Sequence, residues 1–149
     1  MSEVGLYIKI SRKCPRPGPG MYIAILEATT ASGKTGTLTL KKHLEDITPH
    51  QLELTAIVDA LHRCKGDLDL QIHSEHGWFK RVHESGWLDR WQQAGWMDKD
   101  KLRPGADLYQ DLWTLENVCS VRFDTFDDDL GTYKTWLDAE IRKETYDND

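Results

Sequence analysis

Carboxylates are the side chains of this chain best placed for chemistry, and Glu53 comes first among them. It lies in Thr48-Pro-His-Gln-Leu-Glu-Leu-Thr-Ala-Ile-Val-Asp-Ala-Leu-His-Arg-Cys-Lys-Gly66, where Leu54, Ile57, Val58 and Leu61 recur at helical spacing. On that helix Glu53 shares a face with Ile57, Ala60 and Cys64, so its carboxylate points along the edge of a core instead of straight into water. The plain reading of a group so placed is a partly buried carboxylate satisfied by backbone donors or a neighbouring arginine. A second acidic feature is Asp124-Thr-Phe-Asp-Asp-Asp-Leu-Gly131, with four acids in one short run. It would repel a phosphate backbone unless a cation sat between them; the plainer reading is a solvated turn. His73, His76 and His83 form no i, i+4 metal pair, and Cys14, Cys64 and Cys119 have no metal-ligand spacing and read as reduced thiols.

The elements that must position these groups follow from pattern. Thr48 reads as an N-cap, Pro49 suits the first helical position and Gln51 completes a capping box, while Gly66 closes the helix. Leu6, Ile8 and Ile10 alternate with Tyr7, Lys9 and Ser11 in a half-buried strand over Val4 to Ile10. Pro15-Arg-Pro-Gly-Pro-Gly20 breaks it, Met21 to Ala28 forms a second strand, and Thr35 to Lys41 a third, giving an antiparallel meander. Leu68 to Ser74 returns to the same sheet by a βαβ crossover, with Glu75 at its end. Gly77 to Trp96 reads as helical, Asp107 begins a helix to about Asn117, and Ser120 to Phe126 is a fifth strand. The last helix, Thr132 to Glu144, puts Tyr133, Trp136, Leu137 and Ile141 on its buried side and leaves a disordered tail from about residue 145. The plan is α+β with one mixed sheet.

At 149 residues the chain fits one domain over 1–149. It has no long apolar run, so no membrane partner is expected and a soluble, cytoplasmic protein is. Its net charge of -6 argues against a strongly phosphate-binding surface.

Several of these patterns, in order, resemble the type 1 ribonuclease H family over nearly the whole chain. Pro15-Arg-Pro-Gly-Pro-Gly20 followed by Met21-Tyr-Ile-Ala-Ile-Leu26 is similar to the family's first loop and second strand. Thr48-Pro-His-Gln-Leu-Glu-Leu54 resembles the opening of its first helix, Trp87, Trp91 and Gly95-Trp96 resemble its substrate handle, and Asp107-Leu-Tyr-Gln110 the helix start that follows. The resemblance implies a ribonuclease H-like fold, a five-stranded mixed sheet flanked by helices with a helical handle. In active members it implies hydrolysis of the RNA strand of RNA/DNA hybrids with two Mg²⁺ ions held by four carboxylates.

Carried over residue by residue, Glu53 matches the helix glutamate. Glu75 falls at the fourth-strand aspartate, one methylene longer, and a solvated strand-end glutamate is its plain alternative. Asp138, or Leu137 beside it, falls at the last-helix ligand, and Asp138 could equally pair with Lys134 or Arg142 at helical spacing. Glu53, Glu75 and Asp138 are therefore the candidate catalytic and metal-binding remnant. The first-strand aspartate, which both ions share, is Ile10, and the family's histidine loop is replaced by the acidic run. Thr48, Trp87, Trp91, Lys99 and Lys101 are the candidate nucleic-acid contacts, although Pro49 and His50 replace two asparagines and Asp89, Asp98 and Asp100 offset the handle's basic residues. The reading is a pseudoenzyme-like module whose Mg²⁺ site is weak or absent. It would bind RNA/DNA hybrid, another nucleic acid or a protein; the alternative is an active ribonuclease with a rearranged metal site.

Overall fold

The computed structural model describes residues 2–11, 16–30, 32–64, 66–75, 77–118 and 120–147. Its elements in order are β1 (Ser2–Ile10), β2 (Gly18–Thr29), β3 (Thr35–Ile47), α1 (Pro49–His62), β4 (Leu68–Ser74), α2 (Trp78–Glu84), α3 (Trp87–Gln93), β5 (Met97–Asp98), β6 (Lys101–Leu102), α4 (Ala106–Val118), β7 (Val121–Asp127) and α5 (Lys134–Asp147). A 3-10 turn over Gly131–Tyr133 leads into α5. Five strands form one sheet in the order β3-β2-β1-β4-β7. β1, β2 and β3 pair antiparallel, whereas β4 lies parallel to β1 and to β7. The expected five-stranded mixed sheet flanked by helices is therefore present.

The pleat divides the sheet's side chains between two layers. Val4, Leu6 and Ile8 of β1, Tyr22, Ala24 and Leu26 of β2, and Leu68, Leu70 and Ile72 of β4 pack with α1, α2 and α4 in the main core. On the other face Tyr7, Met21, Ile23 and Ile25 meet Leu130, Tyr133, Leu137 and Ile141 of the α5 region.

Helix α1 begins as its sequence requires. Thr48 Oγ1 accepts from Gln51 N–H at 3.3 Å and Thr48 N–H donates to Gln51 Oε1 at 3.2 Å, closing the capping box behind Pro49. Burial extends well beyond one stripe, taking in Leu52, Thr55, Ala56 and Ala60 as well as Leu54, Ile57, Val58 and Leu61. The helix runs between the sheet and α4, and each fully buried Leu or Ile contributes about 1.5–3 kcal/mol relative to exposure.

Several boundaries differ from the sequence reading. The α1 helix ends at His62, before Gly66, which takes a left-handed φ of 85° in the connection to β4. Gly77 to Trp96 is two helices, because the chain turns at Gly86, whose φ of 68° suits a residue without Cβ. β3 continues to Ile47, and β5 and β6 form a small ladder that no alternation announced. Trp136 is 41% exposed instead of buried; Tyr133, Leu137 and Ile141 recur every four residues and take the inward face, leaving position 136 turned away. α5 is helical to Asp147, past the expected start of the tail. Pro15, Cys14, His76, Cys119 and the final two residues lie outside the described residues, as does the side chain of Asp124. No helix among the described residues is long and apolar enough to cross a membrane.

Candidate functional site

Glu53 is 1% exposed. Its position follows from two elements: the cap that fixes where α1 starts, and the end of β4, over which the first turns of α1 lie. Ser74 O–H donates to Glu53 Oε2 at 3.4 Å, and the Phe79 N–H at the start of α2 donates to Oε1 at 3.1 Å. The carboxylate lines a small cleft with Ile72, Ser74, Gly77, Lys80, Asp127 and Asp128. The acidic run therefore reaches the neighbourhood of Glu53, although it is partly occupied in its own turn: Asp127 Oδ1 accepts from Asp129 N–H and Asp129 Oδ1 from Gly131 N–H, each at 2.9 Å.

Leu70, Ile72 and Ser74 alternate as buried residues on the α1 face of β4. Ser74, not Glu75, is consequently the strand-end residue that meets Glu53. Glu75 emerges on the α5 side, where its oxygens accept from Lys9 at 2.7 Å and Lys134 at 3.0 Å. The same two ammonium groups serve Asp138: Lys9 Nζ lies 3.1 Å from Oδ1, and Lys134 Nζ 3.2 Å from Oδ2. The structure thus brings Glu75 and Asp138 together around two lysines and holds Glu53 on the other face with Ser74. Lys9 and Ser74 were not singled out from sequence; the period-two pattern of β1, which turns Lys9 away from Ile8 and Ile10, was the available signal.

The electrostatics of the lysine network are mutual. Hydrogen bonding from Lys9, reinforced by Lys134 and opposed by partial burial, holds the Glu75 carboxyl below its ordinary range. For Asp138 desolvation is the largest influence and acts upward, but the two lysines together bring the carboxyl below its usual value. Desolvation likewise pulls Lys9 down, and its contacts with Glu75 and Asp138 more than offset this, leaving the ammonium harder to deprotonate than usual.

Ile10 pairs across the antiparallel ladder with Tyr22 and is half-buried against the main core on the α1 face. These donors do not fit a two-ion carboxylate centre. The shared position is apolar, both Glu53 oxygens accept protein donors, and Glu75 and Asp138 are neutralised by ammonium groups on the opposite face. Among the described residues no three acidic, histidine or cysteine side chains are arranged to hold a metal ion.

The candidate nucleic-acid contacts are distributed differently. Thr48 is committed to the α1 cap. Trp87 and Trp91 are half-buried, with ring centroids 5.9 Å apart; Trp91 also meets Tyr109 edge-on at 4.9 Å and carries the Arg103 guanidinium 4.2 Å above its ring. These rings pack on the main core, and Trp96 is 7% exposed within it. Lys99 and Lys101 are exposed at the β5–β6 ladder, beside Asp98 and Asp100.

Glu53→Gln tests how the buried carboxylate is accommodated. The amide oxygen can accept from Phe79 N–H while the amide nitrogen donates to Ser74 Oγ, and a negative charge near Asp127 and Asp128 is removed. We expect the variant to be more stable by about 1 kcal/mol in a denaturant titration; a loss of that size would show that the charge itself is bound by compensating groups.

No protein-family model matches the sequence, and no curated protein matches it by sequence. Solved structures do match by shape. LC9-RNase H1, a type 1 RNase H with the type 2 active-site motif, superimposes with a TM-score of 0.69 at 16% identity, over 92% of this chain and 69% of that one. The N-terminal RNase H domain of a Mycobacterium tuberculosis protein gives 0.54 at 18% identity over 93% and 90% of the two chains, and the RNase H domain of prototype foamy virus gives 0.56 at 13% identity over 95% and 90%. At these identities the likeness speaks to architecture, and together with the sheet order and the placement of α1 it establishes that this chain has a ribonuclease H-like fold.

Proposed function

We propose that this chain is a ribonuclease H-like module that does not cleave RNA/DNA hybrid and acts by binding a nucleic acid or a protein. The observation that carries this reading is the Lys9 ammonium, 2.7 Å from Glu75 and 3.1 Å from Asp138: two candidate ligands are engaged by a protein cation, while Ile10 supplies no shared ligand. Nucleic acid is retained among the partners because a foamy viral protease-reverse transcriptase, 18% of whose chain matches 93% of this one at TM-score 0.61 and 11% identity, was solved in complex with RNA/DNA hybrid. The test is incubation of end-labelled hybrid with purified protein in Mg²⁺ and, separately, Mn²⁺. We expect no metal-dependent cleavage. Cleavage that disappears in Glu53→Gln would overturn the reading.

One observation favours the second reading, an active ribonuclease with a rearranged metal site: Asp127 and Asp128 line the same cleft as Glu53. Cleavage by that route would be lost in Asp128→Asn as well as in Glu53→Gln and would survive Asp138→Asn.

A further inference from the structure

β3 is one edge of the sheet, and its properties are those of a pairing surface. It is thirteen residues long, exposed along nearly its whole length, and bonded on one side only, to β2. Among the described residues no backbone hydrogen bond from another strand or loop reaches its other side. Edge strands are normally protected by charge, proline or brevity; here Thr35-Gly-Thr-Leu-Thr-Leu40 is an uncharged, proline-free run with Leu38 left 43% exposed. Charge lies outside that run: Lys34 precedes it, and Lys41, Lys42 and the Glu45–Asp46 pair follow it.

We infer that β3 is a self-association edge on which a second copy of this chain adds its own β3 antiparallel, joining two sheets about a two-fold axis at Leu40. Charge selects this register. Around such an axis directly opposed residues share a face, so centring on Leu40 sets Leu38 against the aliphatic stem of Lys42, Thr39 against Lys41, and Lys34 against the acidic end at Glu45–Asp46, each contact occurring twice. Centring on Leu38 would oppose Lys34 to Lys42, and centring on Lys41 would put two ammonium groups on the axis. Centring on Thr39 leaves Lys34 facing Leu44 with no acid. Centring on Leu44 pairs Lys42 with Asp46, but it crosses the irregularity opposite Gly18–Gly20 and leaves the uncharged run open. Of these registers, the one centred on Leu40 both covers that run and sets Lys34 against an acid. Lys41 remains available to Glu140 and Glu144 of α5 on its own subunit, at 3.1 and 3.4 Å. A contact confined to one strand edge is smaller than the usual interface of about 1,600 Å², so the dimer is expected to be weak and to dissociate on dilution.

Sedimentation velocity over a concentration series reaching the millimolar range tests this with the whole chain. The expected result is a reversible monomer–dimer equilibrium. Lys34→Glu should weaken it about tenfold or more, because two attractive contacts become repulsive. Glu45→Lys with Asp46→Lys in the Lys34→Glu background should restore it. All three positions are exposed, so thermal melts of the variants should match the parent chain and separate lost association from lost folding. A chain that remains monomeric throughout the series overturns the inference, as does a dimer indifferent to Lys34→Glu or one that the acid-to-lysine changes fail to restore.

Discussion

Ile10→Asp is expected to lower the unfolding free energy by about 3 kcal/mol near neutral pH. Ile10 is half-buried against the main core on the face that holds Tyr22, Ser74 and Glu53. The substitution removes apolar contacts and adds a carboxylate on the side of the sheet where Glu53 is already enclosed and where Asp127 and Asp128 line the cleft. Like charges at short range in a poorly solvated setting raise one another's pKa, so the loss should be smaller at mildly acidic pH, where the new group can protonate. Adding Ser74→Asp deepens the loss in the apoprotein and assembles three carboxylates on the α1 face. Because an ion that binds only the folded state raises the melting midpoint by mass action, millimolar Mg²⁺ or Mn²⁺ should then return part of the lost stability in the double variant and leave the parent chain unchanged. Glu75→Asp in place of Ser74→Asp should give no such rescue, since Glu75 emerges on the α5 side. Thermal melts of the three variants with and without the ions check this. Rescue by Glu75→Asp and not by Ser74→Asp would mean that the face assigned to the strand end is wrong.

Lys9→Met is expected to cost about 1–2 kcal/mol, a discounted form of the penalty for removing one partner of a buried ion pair, because Glu75 and Asp138 keep contact with water. The Lys9 side chain is 14% exposed and stands between two carboxylates; without it they face one another with only the more exposed Lys134 to share. The pH dependence has a definite sign. Glu75 and Asp138 have folded pKa values below their ordinary ones, so their stabilising contribution is present above the unfolded carboxylate range of about 4 and is lost as pH falls through the folded values. Lys9 has a raised folded value, so its contribution is present below the ordinary lysine value of about 10.5 and is lost as pH rises beyond it through the folded value. The gap between parent and variant should be flat from roughly pH 5 to 10 and close toward acid. Urea titrations at three pH values measure it; a gap that widens on acidification would refute the network. In Lys9→Met a divalent cation should also raise the melting midpoint, an effect that Asp138→Asn should abolish.

Much of the fold was legible because the signals are local. The capping box, the period-two alternation of β1, and the apolar spacing of α1 each depend on neighbours a few residues away. The order of elements from Leu6 to Ile141 was therefore readable before any tertiary contact was known. Where the reading slipped, the missing information was local geometry weaker than its competitor: Gly86 divides a stretch that reads as helical from Gly77 to Trp96, and Trp136 is apolar but sits at the wrong angle on α5 to reach the core.

The candidate site was less legible. That Glu53 lies at the edge of the core, that Ile10 supplies no carboxylate and that Asp138 has Lys134 and Arg142 within one helical turn could be read from sequence, because each follows from residue identity and spacing within one element; that Glu53 is fully enclosed and that Asp138 pairs with Lys134 could not. Which residue at the end of β4 faces Glu53 could not. The motif match falls on Glu75, one residue past Ser74, and in a strand one residue is the difference between the two faces of the sheet. Nor could sequence reveal that Lys9 spans Glu75 and Asp138. That contact joins three elements whose separation in space is set by how α5 packs on the sheet through Leu137, Tyr133 and Ile141, and only the folded chain brings the ammonium group to both acids.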